Sequence, residues 1–357
     1  DRTMIDANPP IPIHRRAVAR GLLAGLAAPL LPSAFAKDNA PAARVEEVEI
    51  DARPIPHFER DQPEAKRFGP LEFRGGLILT SPANDFGGWS ALIMEPAGRS
   101  LLAISDEGSW MSADVDYEGT RPVGFRRARL GPLLAADGRP LARKVEQDAE
   151  AATLVEGTLE HGTLLIGFER HHRIDRYGVE HAEVGRPTGS LELPAEAKRM
   201  PANLGIEALT TLKGGPYNGA VVAFAERLTR GSGYHTGWIW VGGEPQKFQL
   251  KDIDGFNITD AAGLADGSLL VLERFFLWSE GVKMRLRHLA AEAIAPGARL
   301  TGRTLIEVDA SCEIDNMEGL GIHHGPNGET VLSLISDDNF NHILQRTIFL
   351  QFMLHQD

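Results

Sequence analysis

Short apolar runs recur along this chain, and each climbs to a carboxylate: LLAISDE at Asp106, LLIGFER at Glu169, VVAFAER at Glu226, LLVLER at Glu273 and LSLISDD at Asp337. Ahead of each lies a second apolar motif, SAL, ATL, EAL, AGL and EGL, beginning at Ser90, Ala152, Glu207, Ala262 and Glu318. Those starts are 62, 55, 55 and 56 residues apart. A period of about 57 residues holding several short strands predicts a toroidal β-repeat, in which each unit buries its faces against its neighbours. Turn residues that tolerate positive φ (Ala97 and Gly98, His161 and Gly162, Asp266 and Gly267, Asn327 and Gly328) follow the inner motifs, so successive apolar runs read as hairpins. Further strands are predicted at Thr236 to Gly242, Arg303 to Asp309 and Gln345 to Leu354.

The pattern specifies an all-β fold, a β-propeller with five visible repeats and either five or six blades. Only 19 residues follow Asp338, so the last repeat is short of at least one strand. Two strand-like segments precede the repeats: the alternating VEEVEI from Val45 to Ile50, and LEFRGGLILTS from Leu71 to Ser81, bent at Gly75 and Gly76. The first is expected to complete the ring beside the C-terminal strand, since closure from both termini removes exposed edges. The abundance of glycine (38) and proline (22), without a long amphipathic run, agrees with many strands and tight turns.

Residues 1–36 read as a processing segment instead of part of the fold. His14 to Arg20 carries paired arginines, an apolar stretch from Gly21 to Leu31 follows, and Ala34, Phe35, Ala36 form a small-residue cleavage triplet. That stretch is shorter than the roughly 20 residues needed to span a bilayer, so no stable membrane insertion is expected. The reading is a twin-arginine signal, recognised by the twin-arginine export machinery, with cleavage near Ala36 and a periplasmic or secreted product. The expected layout is 1–36 signal, 37–67 lead-in and closing strand, and 68–357 propeller. The net charge of −12 excludes nucleic acid as a natural partner. A single cysteine, Cys312, excludes an intramolecular disulfide.

The charge pattern changes the picture where the strands end. In a propeller the same strand position from every repeat approaches one axis, so Asp106, Glu169, Glu226, Glu273 and Asp337 should converge. Isolated buried carboxylates are costly and repel one another, so they call for a cation, an arginine or protonation. With Glu207, Glu318 and Asp338 they make an all-oxygen set suited to a hard cation such as Ca²⁺, which takes six to eight oxygens. The histidine doublets His171 with His172 and His323 with His324 leave a transition metal open. The competing reading is that strand-end acids brace neighbouring blades and do no chemistry. Nucleophile-elbow, P-loop and GxGxxG motifs are absent, which removes support for covalent serine catalysis and nucleotide binding.

FGGWSAL with LLAISDEGSW, then FERHHRI, LGIEALTTL, DAAGLADGSLLVLERFF, DNMEGLGIH with LSLISDDNFN, and QRTIFLQFML resemble, in order, the bacterial phytase-like proteins named for an esterase-like activity of phytase. The resemblance implies a phosphoester hydrolase acting on a small anionic phosphate ester. It carries the family's acidic positions onto Asp106, Glu169, Glu207, Glu273, Glu318, Asp337 and Asp338. Of these, Glu169, Glu273 and Glu318 are the candidate catalytic carboxylates. Asp106, Glu207, Glu318, Asp337 and Asp338 are the candidate Ca²⁺ ligands, and Arg170, His171, His172 and Arg274 the candidate phosphate-binding residues. Ala152 and Ala262, where other repeats carry polar residues, limit the expected site to part of the ring. Two alternatives stay open: a propeller lactonase or carboxylesterase, and a propeller that only binds a ligand.

Overall fold

The computed structural model describes residues 44–201, 204–225, 228 and 232–355, and they form five antiparallel sheets whose innermost strands touch in a closed ring. The propeller has five blades. Glu226 and the export signal expected over 1–36 lie outside the described residues. From the axis outward, the first blade is Trp89–Met94, Ser100–Ser105, Ser109–Glu118 and Arg121–Pro132, and the second is Ala149–Gly157, His161–Phe168, Arg173–Glu180 and Glu183–Leu191. The third is Ile206–Thr211, Val221–Ala225, Tyr234–Val241 and Glu244–Lys251, with Arg299–Leu300 added in parallel at its rim. The fourth is Asn257–Gly263, Leu269–Leu277, Gly281–Leu289 and Arg303–Val308. No helix among the described residues is long and apolar enough to cross a membrane.

The continuous apolar runs follow from this architecture, because a strand inside a blade is buried on both faces. Leu101 and Ala103 pack into the wedge between the first and fifth blades, while Leu102 and Ile104, on the opposite face of the same strand, pack into the wedge between the first and second. The core is accordingly five such wedges, one at each junction of blades. Each fully buried Leu or Ile contributes about 1.5–3 kcal/mol relative to exposure. Near the axis, polar bonds tie inner strands together: Thr210 accepts from the Gly263 amide at 3.0 Å, and Asp260 accepts from the Leu320 amide at 2.7 Å.

Closure uses both ends of the chain, but with different segments from those expected. The fifth blade runs Asn316–His324, Thr330–Asp337, Thr347–Leu354, and then Leu71–Thr80 and Asp51–Ile55 from the N-terminal region. LEFRGGLILT is the strand beside the C-terminal one. The VEEVEI segment contributes Glu46–Val48 to the rim of the first blade instead. Its three-in-six acidic composition suits an outer strand, whereas LEFRGGLILT can bury both faces. Another turn moves as well: His161 and Gly162 already belong to a strand, and the left-handed residue before them is Gly157 (φ 73°).

Candidate site at the carboxylate mouth of the channel

Every inner strand carries a β-bulge near its beginning. Trp89 pairs with Ser105 but Ala91 with Ile104, so Ser90 is the extra residue; the same offset isolates Glu150, Glu207, Thr259 and Glu318. A bulge turns a side chain out of the regular alternation, and bulges are common beside active sites for that reason. These five residues are therefore structural equivalents, and all bear oxygen. The spacing of apolar motifs had put Ala152 and Ala262 in this ring; the true counterparts are Glu150 and Thr259.

Pairing also corrects the strand-end ring. The residue following the partner of the inner strand's pre-bulge position is Asp106 in the first blade, Glu169 in the second and Asp337 in the fifth. In the fourth blade Glu273 itself pairs with Ile258, so the equivalent residue is Arg274. A shift of one residue moves a strand side chain to the other face. Hence Arg274 reaches Asn316, to which it donates a hydrogen bond, and Glu318 at 3.5 Å, whereas Glu273 is fully buried between Arg287 and Arg285. Burial raises the Glu273 pKa, and the two guanidiniums oppose the rise.

The carboxylates of four blades meet across the axis. Burial pushes the Glu150 pKa well up, and the charges of Glu207, Glu318, Asp106 and Asp148 push it further. Because the second and fifth blades are not neighbours, Glu150 and Glu318 sense each other only across the channel mouth. Asp337 is pushed up to about 8, first by burial and then by Glu318 and Asp106. Its oxygens accept from the Asn339 amide at 2.6 Å and from Asn316 Nδ2 at 3.2 Å.

Oxygens of Asp106, Asp148 and Glu150 all lie within 4.8 Å of one another. Lys144, on a single helical turn (Lys144–Gln147), binds Asp106 Oδ2 at 3.0 Å, Asp148 Oδ1 at 2.8 Å and Glu107 at 2.8 Å. Arg170 closes on the other Asp148 oxygen. Two acceptors remain uncommitted: Asp106 Oδ1 is buried without a hydrogen-bond partner, and Glu150 accepts no hydrogen bond from a described residue. Gly88, with φ 66°, runs beside Asp106 Oδ1, and a Cβ there would collide with it. This donor set, oxygen-only with an orphaned carboxylate atom, fits a hard divalent cation. Asp106, Glu150 and Asp148 would hold it, with Glu207 and Glu318 facing it across the mouth.

Other expected residues lie apart from this cluster or are committed elsewhere. Asp338 is buried, and its carboxylate is taken up by the Gly88 and Phe340 amides, Thr347 Oγ1 and His342. It holds the FGG turn against the fifth blade. His172 contacts the carbonyls of Met200 and Pro201, and His171 lines a surface cavity with Arg173 and Tyr177. Glu169 packs against Gly205 at the junction of the second and third blades. Asp148, Glu150, Lys144 and Asn316 were missed. The available signal was a glutamate followed by a small residue: AEAATL matches IEALTT and MEGLGI when aligned on glutamate instead of on the apolar residues.

A family model described as "Phytase-like: Esterase-like activity of phytase" matches residues 84–340, which contain the site from Gly88 to Asp338. The chain belongs to the phytase-like family. No curated protein matches this phytase-like chain. Among solved structures, an endo-arabinase from Bacteroides thetaiotaomicron VPI-5482 is similar at 10% identity and a TM-score of 0.46, over 76% of this chain and 96% of that one. Family and fold together support a hydrolase of the phytase-like type.

Proposed function

We propose that this phytase-like propeller is an exported, divalent-cation-dependent hydrolase of small phosphate esters, with Ca²⁺ as the preferred ion. The observation that carries this reading is the meeting of Asp106, Asp148, Glu150, Glu207 and Glu318 at one mouth, with Asp106 Oδ1 buried and unpartnered. So concentrated a negative field repels a phosphate ester, and a bound cation reverses that locally. Such a cation would supply charge neutralisation and Lewis-acid polarisation of a phosphoryl oxygen.

The chain's own residues supply the remainder. Arg274, Arg170 and Lys144 surround the carboxylates, and guanidinium groups bind phosphate oxygens in pairs. Asp337, with its pKa near 8, holds a proton at neutral pH and is suited to protonate a leaving alkoxide. Asn316 orients it by bridging Asp337 Oδ2 and Glu318 Oε1. Calcium analysis and p-nitrophenyl phosphate hydrolysis, with and without chelator, test the reading on purified protein. We expect calcium to be bound and activity to disappear on chelation and return on repletion. Hydrolysis of a lactone in place of the phosphate ester, or turnover indifferent to chelator, overturns it. Protein recovered from the periplasm should begin at Lys37, and an intact residue 1–36 segment there would contradict export by this signal.

A further inference from the structure

The far end of the same channel has opposite chemistry. All five inner strands line a cavity of about 390 Å³ there, walled by Met94, Leu154, Leu209, Leu264 and Ile322. Lys213, just past the inner strand of the third blade, lines this cavity. Among the described residues it has no hydrogen bond and no ion pair. Its side chain is exposed to solvent at the rim of the cavity, and the surrounding protein lowers its pKa, with no carboxylate opposing the shift. The other titratable groups on the lining are Glu156, His323 and His324. His323 is buried beside Ser333 Oγ and pushed down to about 4 by burial and by Arg74 and His324, so it is neutral.

We propose that this mouth binds a small amphiphilic monoanion, a carboxylate or sulfonate on a compact apolar body, with its head on Lys213. An ammonium at the rim of an apolar cavity, with no counter-charge paired to it, favours an anionic head group over a neutral one. The apolar walls favour a ligand that buries hydrocarbon over a strongly hydrated dianion such as free phosphate. The volume falls within the usual range of small-molecule sites, roughly 300–1,000 Å³. This inference is independent of the chemistry at the carboxylate mouth, since neither its residues nor its charge belong to that cluster.

Calorimetric titration of the full chain with octanoate, and with octanol as a neutral control, tests it. Octanoate should bind, Lys213→Met should weaken that binding at least tenfold while leaving octanol unchanged, and Lys213→Arg should retain most of it. Since Lys213 is without partners, Lys213→Met should leave the melting temperature unchanged or raised, so loss of binding cannot be ascribed to unfolding. Equal octanoate affinity in parent and Lys213→Met overturns the proposal. So does an absence of octanoate binding up to about 1 mM, the weak end of specific recognition.

Discussion

The second and fourth blades present the same strands to the axis and put them to opposite uses. In the second, the bulge holds Glu150, which accepts no hydrogen bond from a described residue, and the residue two before it is Asp148, held by Lys144 and Arg170. In the fourth, the bulge holds Thr259, which donates to the Met317 carbonyl at 3.1 Å, and the strand-end position is Arg274. The fourth blade's acid, Glu273, sits one residue earlier and therefore on the other face, locked between Arg285 and Arg287. A carboxylate becomes a brace or a site residue according to which face its register selects. Two readings that compete in the sequence, blade brace and cation ligand, are both realised, in different blades.

The sharpest way to break this contrast is to remove each acid in turn. Glu273→Gln leaves Arg287 buried without its counter-charge, while Arg285 keeps Glu307 and Asp254, and loss of one partner from a buried pair costs about 3–5 kcal/mol. Denaturant unfolding should register that loss, with calcium binding unaffected. Glu150→Gln should do the reverse, leaving stability unchanged or higher because a repelled, desolvated charge is gone, and abolishing the calcium-induced rise in melting temperature. Comparable destabilisation by the two substitutions would erase the distinction between the blades.

A second test uses pH. Asp337, at about 8, and Glu150 have folded-state pKa values above those of the unfolded chain. Their protonated forms favour folding, so their contribution is complete below the ordinary carboxylate range and is lost as pH rises toward 8. Cation-free protein should accordingly melt at progressively lower temperature between about pH 4 and pH 8. Saturating calcium should flatten the Glu150 part of that slope, since it stabilises that carboxylate's ionised form, and Asp337→Asn should reduce the remainder. A cation-free protein whose melting temperature is level or rises across this interval would show that the mouth is not strained by its own charge.

Much of this organisation is legible in the residues alone, for physical reasons. A doubly buried strand must be apolar throughout, so LLAIS, LLIGF and LLVL declare themselves, and their recurrence gives the ring. What the runs cannot convey is register at the level of one residue. The bulge that singles out Glu150 and Glu207 is set by backbone pairing, and an alignment on apolar residues slips past it to Ala152. The same slip promotes Glu273 over Arg274. Closure was ambiguous for a different reason: VEEVEI and LEFRGGLILT both read as strands, and only the second has the two apolar faces that a position beside Thr347–Leu354 requires.

The smallest expected effect concerns the cations of the two blades. Arg285 and Arg287 are fully buried and permanent, whereas Lys144 rides on one helical turn and is more than a third exposed. Burial works against the Lys144 charge, but its bonds to Asp148, Glu107 and Asp106 outweigh that and hold its pKa above the ordinary lysine value. Lys144 thus occupies oxygens that a divalent cation would use, and the two compete for Asp106 and Asp148. Lys144→Met should cost about 1 kcal/mol or less of stability in cation-free protein, as expected for a solvent-screened ion pair. The same substitution should tighten calcium binding several-fold in a direct titration, because the competing ammonium is gone while Asp106, Asp148 and Glu150 remain. If calcium binding instead weakens, Lys144 supports the cation site instead of substituting for it, and the second blade is closer to the fourth in design than its uncommitted carboxylate oxygens suggest.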